Sequence, residues 1–466
     1  MHPSRRTLLR ATALTGAAVG LGLSTTTPAH AATAAPYVEP IRWQRLGRYR
    51  ACDAAGQRVR KILADSTRYL IGPVFEKTYP QPAPDGLLEL KGTDERAVRL
   101  PAMTALTSAT ALRLGVYDPR DLPAAEAGAR TTALIRTLAA RHKANSGTPG
   151  WGSNWQTALW AYYAGVAGWL LWEALTPAER EQLAAMIVWE ADRLTSGNDV
   201  YVVGTSGNQL YMTRRDGTQV TPGDSKSEED NWNAAVLALA AAMMPRHPQA
   251  CRWRRRNVEL LLAAAAGPAD LTNPAVINGI RLSDWLQGTN INDDGTLNNH
   301  SRLHPLYMVA FDQSLYQGFT FGLAGQHAPR AALHNIDRIY AALVANKFPT
   351  ADGSERTIYT PGSAQIYYPQ GNDWGTHFPF YFGNFDLLVS VVGKDAGIAP
   401  KASIWEKLHN EDQLALQARF PDGRTYGAHG ENTYYGREQR IGVMAGQAYL
   451  TLFLARNDRG PKLRWR

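Results

Sequence analysis

Four side chains capable of acid–base chemistry or anion binding lie close together in one short segment: His300, Arg302, His304 and Tyr307. If a helix begins near residue 301, His304 and Tyr307 are three residues apart and share a face. β-Elimination on a uronic acid needs a cation or amide that binds the carboxylate, a base that removes the C5 proton, and an acid that protonates the leaving oxygen. These four residues are therefore candidate catalytic residues, although a packing role for His304 also fits the pattern.

A second candidate segment opens an Ala-rich stretch with three acids followed by Asn231, Trp232 and Asn233. Acidic residues in a first helical turn complement the helix dipole, so the acids have a purely structural explanation. Asn is a poor helix former, and its presence just inside the helix is not explained in this way. We predict that Asn231 binds a substrate carboxylate as a catalytic residue and that Asn233 contacts the substrate.

Several long connecting segments are rich in aromatic, amide and acidic residues. Aromatic rings offer flat faces to sugars, and Asn, Asp and His hydrogen-bond hydroxyl groups. Each aromatic residue taken alone is more simply explained by packing, but the clusters together indicate a carbohydrate-binding cleft. Besides Asn233, the predicted substrate-binding residues are Trp151, Trp285, Asn299, Tyr368, Asn372, Asp373, Trp374, His429, Glu431 and Tyr435.

Helical periodicity runs through most of the chain, whereas strand-like alternation is scarce. Breaks at Gly, Pro and Asn clusters divide it into twelve predicted helices. They span residues 39–70, 96–114, 121–142, 155–174, 177–195, 229–244, 247–266, 301–318, 329–346, 376–393, 402–418 and 435–456.

The connections between these helices alternate in length. Those after the even-numbered helices are short, which makes the joined helices antiparallel neighbours, and those after the odd-numbered helices are mostly long. All long loops should therefore emerge at one end. Six hairpins bury two apolar faces per helix when they close into a ring. The pattern predicts an all-α fold, an (α/α)6 toroid, with its cleft at the end that carries the long loops.

Composition indicates a globular protein, and the ring pattern indicates a single domain after a leader. The chain has 466 residues, 44% of them hydrophobic and 19% charged, and a net charge of +8. Arg5-Arg6, a short apolar run and Ala29-His30-Ala31 are typical of a twin-arginine export signal, which predicts a signal peptide over residues 1–31, a catalytic domain over residues 32–466 and secretion. No later segment is apolar enough for a membrane span.

Several classes of function lack their sequence signatures. There is no phosphate-binding loop, dinucleotide fingerprint, HExxH or GxSxG in its required context, and no metal-ligand spacing. We predict no cofactor, no metal, no nucleic-acid or membrane partner, and a monomer. Cys52 and Cys251 are assigned to helices one and seven, on opposite sides of the ring, so both should be free thiols.

These motifs resemble the (α/α)-toroid polysaccharide lyases, namely the heparinase II/III-like, alginate and hyaluronate lyases. Residues 231–239 resemble the Asn-rich helix entry of heparinase II/III-like enzymes, and residues 294–307 resemble their Asp-Gly-Ser/Thr stretch that leads to Tyr-His-x-Tyr. His304 takes the place of the first Tyr of that pair, and Pro305 the place of its His. The resemblance implies β-elimination with His304 and Tyr307 as the acid/base pair.

We therefore expect a secreted lyase that acts on an acidic polysaccharide or oligosaccharide. Two alternatives stay open. The first is a glycoside hydrolase of the (α/α)6 type, which needs two carboxylates across the cleft. The second is a toroid that binds glycans without catalysis.

Overall fold

A computed structural model describes residues 34–147, 149–152, 154–196, 210–374, 377–460 and 462–466. The predicted signal peptide, residues 1–31, lies outside the described residues. Among the described residues, no helix is both long and apolar enough to cross a bilayer.

Twelve helical positions follow one another along the described chain, as the sequence predicts. The eighth consists of three short helices, Pro305–Met308, Asp312–Leu315 and Gln317–Leu323, which together we call α8. The others are α1 (Ala54–Tyr69), α2 (Glu95–Arg113), α3 (Ala124–Ala140), α4 (Thr157–Leu170), α5 (Pro177–Ser196), α6 (Ser227–Met243), α7 (Ala250–Ala264), α9 (Ile336–Val344), α10 (Pro379–Val392), α11 (Ala402–Ala418) and α12 (Arg437–Arg456).

The even-numbered helices form a closed inner ring. Helix α2 packs on α4, α4 on α6, α6 on α8, α8 on α10, α10 on α12, and α12 again on α2. The odd-numbered helices cover this ring from outside, each packed on an inner neighbour. The chain is therefore an (α/α)6 toroid, and the predicted fold class is confirmed.

Burial explains which helices lie inside. Every residue of α4 is buried, and in α6 only Glu228 and Glu229 are partly exposed. A helix that is apolar on all sides must be covered on all sides. Outer helices such as α1 carry a polar face instead and can meet solvent there.

The strands are short and lie in the connecting loops. Within the described ranges they form four two-stranded antiparallel pairs. These are β1 (Thr213–Arg214) with β4 (Gly288–Thr289), β2 (Val276–Ile277) with β3 (Ile280–Arg281), β5 (Asn298–Asn299) with β6 (Arg302–Leu303), and β7 (Lys347–Pro349) with β8 (Glu355–Thr357).

Three predicted helix starts are wrong. Helix α1 begins at residue 54 rather than 39, because the Asp53 side chain caps it by accepting a hydrogen bond from the Gly56 N–H at 2.8 Å. Helix α8 begins only at Pro305, after a hairpin that occupies residues 298–303. Helix α9 begins at residue 336, because Asn335 adopts a left-handed conformation that interrupts the helix.

Both cysteines are exposed and free, which confirms the predicted absence of a bridge between them. Cys251 lies on α7, as predicted. Cys52, however, precedes α1 instead of lying on it.

Close contact between α10 and α11 leads to a stability prediction. A Cβ at Gly383 would overlap Asn410 Oδ1 and lie 3.0 Å from His409 Cβ. Gly383→Ala should lower the free energy of unfolding by about 1–3 kcal/mol, because overpacking forces neighbouring side chains to move. Chemical denaturation measures this change.

Gly128 on α3 provides the matched control, since a Cβ there would meet no described atom within 4 Å. Gly128→Ala should raise the free energy of unfolding by about 0.5–1 kcal/mol through helix propensity alone. Equal effects of the two substitutions would contradict the proposed contact between α10 and α11.

Candidate active site

A cavity of about 310 Å³ opens where the inner helices begin. Each of the six inner helices contributes at least one lining residue from its first turns or from the segment that leads into it. The lining residues are Glu95, Arg99, Trp155, Gln156, Leu159, Glu228, His300, Leu306, Tyr307, Trp374, Phe378, Tyr381, Tyr434 and Arg440. The long loops thus meet at one end of the ring, as the alternation of loop lengths predicts.

A tight hairpin holds His300 at this cavity. Strands β5 and β6 pair in the register Asn299 with Arg302, so His300 and Ser301 form the two-residue turn between them. Both turn residues have positive φ, 50° and 60°, a conformation that non-glycine residues rarely adopt. The Ser301 N–H donates to the Gly223 carbonyl oxygen at 2.9 Å, which anchors the turn. Backbone strain of this kind is most often kept at functional sites.

Asp373 connects two histidines. Its Oδ2 lies 2.9 Å from His300 Nδ1, and its Oδ1 lies 2.9 Å from His304 Nε2. Tyr307 Oη lies 3.1 Å from His300 Nε2. If His300 carries its proton on Nδ1 and donates it to Asp373, Nε2 accepts the hydrogen bond of the Tyr307 hydroxyl. The result is a continuous chain from Tyr307 through His300 to Asp373.

The surroundings set the charge state of this chain. Burial raises the pKa of Tyr307 far above its ordinary value, and the nearby Glu228 carboxyl raises it further, so Tyr307 keeps its proton. Burial would also raise the pKa of Asp373, but hydrogen bonds from His304 and His300 outweigh burial and lower it. Burial lowers the pKa of His304, which is fully enclosed and therefore neutral near pH 7.

Two arginines line the cavity. Arg440 on α12 is buried; its Nη1 donates to Tyr163 Oη at 3.2 Å, and its Nη2 donates to Tyr381 Oη. Among the described residues, no carboxylate forms an ion pair with Arg440. Arg99 on α2, by contrast, is paired with Glu95. Arg440 thus places a positive charge beside the cavity with phenol groups as its hydrogen-bond partners.

The carboxyl group of Glu228 has a pKa above the ordinary value. Burial raises its pKa to about 7, although the Arg440 charge opposes this shift. At a pH between 4.5, the ordinary pKa of Glu, and about 7, Glu228 keeps its proton in the folded protein but has released it in the unfolded chain. The free energy of unfolding therefore falls as pH rises through this window.

Replacing Glu228 with Gln removes this titration. We expect the unfolding free energy of Glu228→Gln to fall less steeply than that of the parent protein as pH rises through this window. Denaturation curves at several pH values measure the slope, with Glu355→Gln at an exposed position as the control. An unchanged slope in Glu228→Gln would contradict the assigned environment.

The predicted site residues fall into several groups. His300, Tyr307 and Trp374 line the cavity. Asp373 contacts His300, and His304 contacts Asp373. Asn299 lines an adjoining cavity of about 320 Å³, which shares Glu228, His300 and Tyr307 with the first. The structure thus brings together residues from two distant predicted segments.

Asn231 and Asn233 lie on α6 and are almost fully buried. Asn231 is three residues after Glu228 and therefore shares its helix face. Asn231 Oδ1 accepts a hydrogen bond from Ser314 Oγ at 2.6 Å, while the Nδ2 of each asparagine has no partner among the described residues. Neither residue lines the cavity.

Three further predicted residues lie in the hairpin that carries His300 or in the loop before α10. Arg302 Nε donates to the His300 carbonyl oxygen at 3.4 Å. Asn372 Oδ1 accepts from the Trp374 N–H at 3.0 Å, which shapes the loop before α10. Tyr368, in the same loop, is partly buried against the core. These contacts position the loop and do not reach the cavity.

Another three lie on the segment before α12. His429 is exposed, and Glu431 forms an ion pair of 2.6 Å with Arg419. Tyr435 is also exposed, and its carbonyl oxygen accepts a hydrogen bond of 3.1 Å from Arg99, a residue of the cavity wall. This segment therefore borders the cavity without lining it, except through Tyr434.

The two remaining predicted residues pack against the protein itself. Trp151 is 1% exposed, and its indole nitrogen donates to the Leu138 carbonyl oxygen at 2.8 Å. Trp285 is half-buried at the end of a short helix, Leu282–Trp285. The structure does not bring either residue to the cavity.

Sequence reasoning missed Arg99, Arg440 and Glu95. The available signal for Arg440 was its position in the first two turns of the predicted twelfth helix, shortly after a predicted cleft loop. Arg440 is 4% exposed, and a charge so deeply buried points to a special role.

No family model matches the chain, and no curated protein does. A crystal structure of an unsaturated glucuronyl hydrolase specific for heparin is similar in fold at a TM-score of 0.44, with 12% sequence identity, over 84% of this chain and 97% of that one.

Proposed function

We propose that this chain is a polysaccharide lyase that cleaves an acidic, uronate-containing glycan by β-elimination. The observation that carries the proposal is the hydrogen-bonded chain of Asp373, His300 and Tyr307, which ends at a cavity beside the buried Arg440. A base, an acid and a cation at one cavity are the groups that this reaction needs.

Arg440 is the proposed carboxylate-binding residue. Its guanidinium group forms no ion pair among the described residues, so an anionic substrate would provide the missing partner. Binding of the uronate carboxylate by Arg440 would withdraw charge from the adjacent carbon and acidify its proton. The sequence pattern gave this role to Asn231 and Arg302, which do not line the cavity.

His300 is the proposed base, and Tyr307 the proposed acid. Asp373 holds the proton of His300 on Nδ1, so Nε2 carries a lone pair, which becomes available when the Tyr307 hydroxyl turns from it to the leaving oxygen. His300 Nε2 takes the C5 proton, the C5 electron pair forms the C4–C5 double bond, and the C4–O bond breaks. Tyr307 then donates its proton to the leaving oxygen. His300 returns its proton to Tyr307 along the existing contact, which restores both groups.

His304 has a positioning role in this proposal. It is fully buried and does not line the cavity. We therefore replace the acid/base pair suggested by the sequence, His304 and Tyr307, with His300 and Tyr307. Its contact with Asp373 Oδ1 fixes the carboxylate that orients His300. The predicted twin-arginine leader is consistent with action outside the cell, and we propose that the enzyme acts there as a monomer.

Product chemistry tests the proposal. The enzyme is incubated with alginate, hyaluronan, heparan and pectic polymers, and the absorbance of unsaturated uronides is followed. At least one polymer should give a rising signal and products with a terminal double bond. Cleavage products that lack the double bond would contradict β-elimination.

A glycoside hydrolase is the second candidate, because two carboxyl groups line the same cavity. Glu228, with a pKa of about 7, has the acidity of a general acid, and Glu95 next to Arg99 is the other carboxylate. Glu228→Gln distinguishes the two reactions. A hydrolase with Glu228 as its acid should lose activity about a hundredfold or more, whereas a lyase should retain most of its activity.

A further inference from the structure

We propose that His300, His304 and Asp373 form a binding site for a divalent transition-metal ion such as Zn²⁺. Each residue offers one ligand atom, and the three atoms all lie within 4.8 Å of one another. The sequence spacing does not suggest such a site, because Asp373 is 69 residues from His304 along the chain.

The distances are close to those of a metal site. Zn²⁺ binds imidazole nitrogen and carboxylate oxygen at about 2.0–2.2 Å, so two ligands on one tetrahedral ion are roughly 3.4 Å apart. His300 Nδ1 lies 2.9 Å from Asp373 Oδ2, and His304 Nε2 lies 2.9 Å from Asp373 Oδ1. Each histidine nitrogen is therefore about 0.5 Å closer to a carboxylate oxygen than this ligand spacing. Small side-chain rotations would therefore admit an ion between the three groups.

The three ligands are held by separate parts of the fold. His300 lies in the strained turn between β5 and β6, and His304 is fully buried at the start of α8. Asp373, in the loop before α10, is partly exposed, so an ion has a route into the site. Two imidazoles and one carboxylate favour zinc, copper, iron or nickel over calcium or magnesium, which prefer oxygen ligands.

One hydrogen bond that is common at metal sites is missing from the described part of this cluster. Ligating histidines usually donate their second ring N–H to a neighbour, but His304 Nδ1 has no partner among the described residues. We therefore expect weaker binding than at a four-ligand structural zinc site.

Metal binding would reverse the hydrogen bond between His300 and Tyr307. An ion on His300 Nδ1 leaves the imidazole proton on Nε2, which then donates to Tyr307 Oη instead of accepting from it. The ion would thus favour the ionised form of Tyr307. With an ion on Nδ1, His300 Nε2 already carries a proton and cannot act as the base, so the proposed mechanism belongs to the metal-free protein. The metal site itself rests on the geometry of the cluster alone.

Direct binding measurements test the site independently of catalysis. Protein freed of metal with a chelator is titrated with Zn²⁺ by calorimetry and with Co²⁺ by visible absorption. We expect one ion per chain and cobalt ligand-field bands of a four- or five-coordinate ion. His304→Ala should weaken binding at least about tenfold, and Asp373→Asn should do the same.

His327→Ala is the matched control, because His327 is exposed and outside the cluster. It should bind as tightly as the parent protein. Circular dichroism confirms that each variant is folded. The proposal is overturned if no stoichiometric binding occurs, or if folded His304→Ala and Asp373→Asn variants bind like the His327→Ala control.

Discussion

Tyr307→Phe is expected to lower kcat on a uronate polymer by a factor of about 10²–10⁴, the usual contribution of a general acid, while KM changes little. The substitution removes the hydroxyl group and keeps the ring that lines the cavity. His300 would lose a hydrogen-bond partner but keep its contact with Asp373. Steady-state kinetics on the polymer identified by the product screen measure the change.

Tyr367→Phe is the control for this experiment. Tyr367 also carries a hydroxyl that donates a hydrogen bond, to the Pro349 carbonyl oxygen, but it does not line the cavity. Its kcat should stay within about twofold of the parent value. A folded Tyr307→Phe enzyme that retains more than about a tenth of kcat would contradict the role of Tyr307 as the acid.

Arg440→Met is expected to lower kcat/KM on a uronate substrate by a factor of about 30 or more, because truncating a buried charge partner typically costs about 2–5 kcal/mol. The loss should be much smaller on the methyl ester of the same substrate, since the ester carries no charge for Arg440 to bind. Arg440→Lys should recover only part of the activity, because an ammonium group cannot hold a carboxylate through two parallel hydrogen bonds.

Arg254→Met provides the matched control. Arg254 is also partly buried and lies over an aromatic ring, that of Phe321, but it is outside the cavity. Both variants lose a packed guanidinium group, so a general loss of stability should affect both. An equal loss of kcat/KM on the charged substrate and on its ester would contradict carboxylate binding by Arg440.

The ring could be predicted because its signals are distributed along the whole sequence. All-round apolar segments such as residues 157–170 and the alternation of loop lengths do not depend on any single contact. The errors arose where one residue overrides the periodicity. Asp53 caps α1 far from its predicted start, and the hairpin turn at His300 and Ser301 delays α8.

The candidate site was predictable only in part. His300 and Tyr307 lie seven residues apart in the sequence, so the pattern placed them together. The bond from Asp373 to His300 spans 73 residues and depends on how two loops meet, so the sequence suggested only that Asp373 contacts substrate. Arg440 reaches the cavity from a third segment, helix α12. Trp151 is buried in the core, where its indole nitrogen donates a hydrogen bond to a backbone carbonyl oxygen.

The most direct test of the central claim follows the oxygen atom of water. The polymer that the enzyme cleaves is digested in heavy-oxygen water, and the products are weighed by mass spectrometry. β-Elimination uses no water, so each cut should give an unlabelled product that is one water molecule lighter than the hydrolytic product. Incorporation of one heavy oxygen atom per cut would show hydrolysis and contradict the lyase assignment.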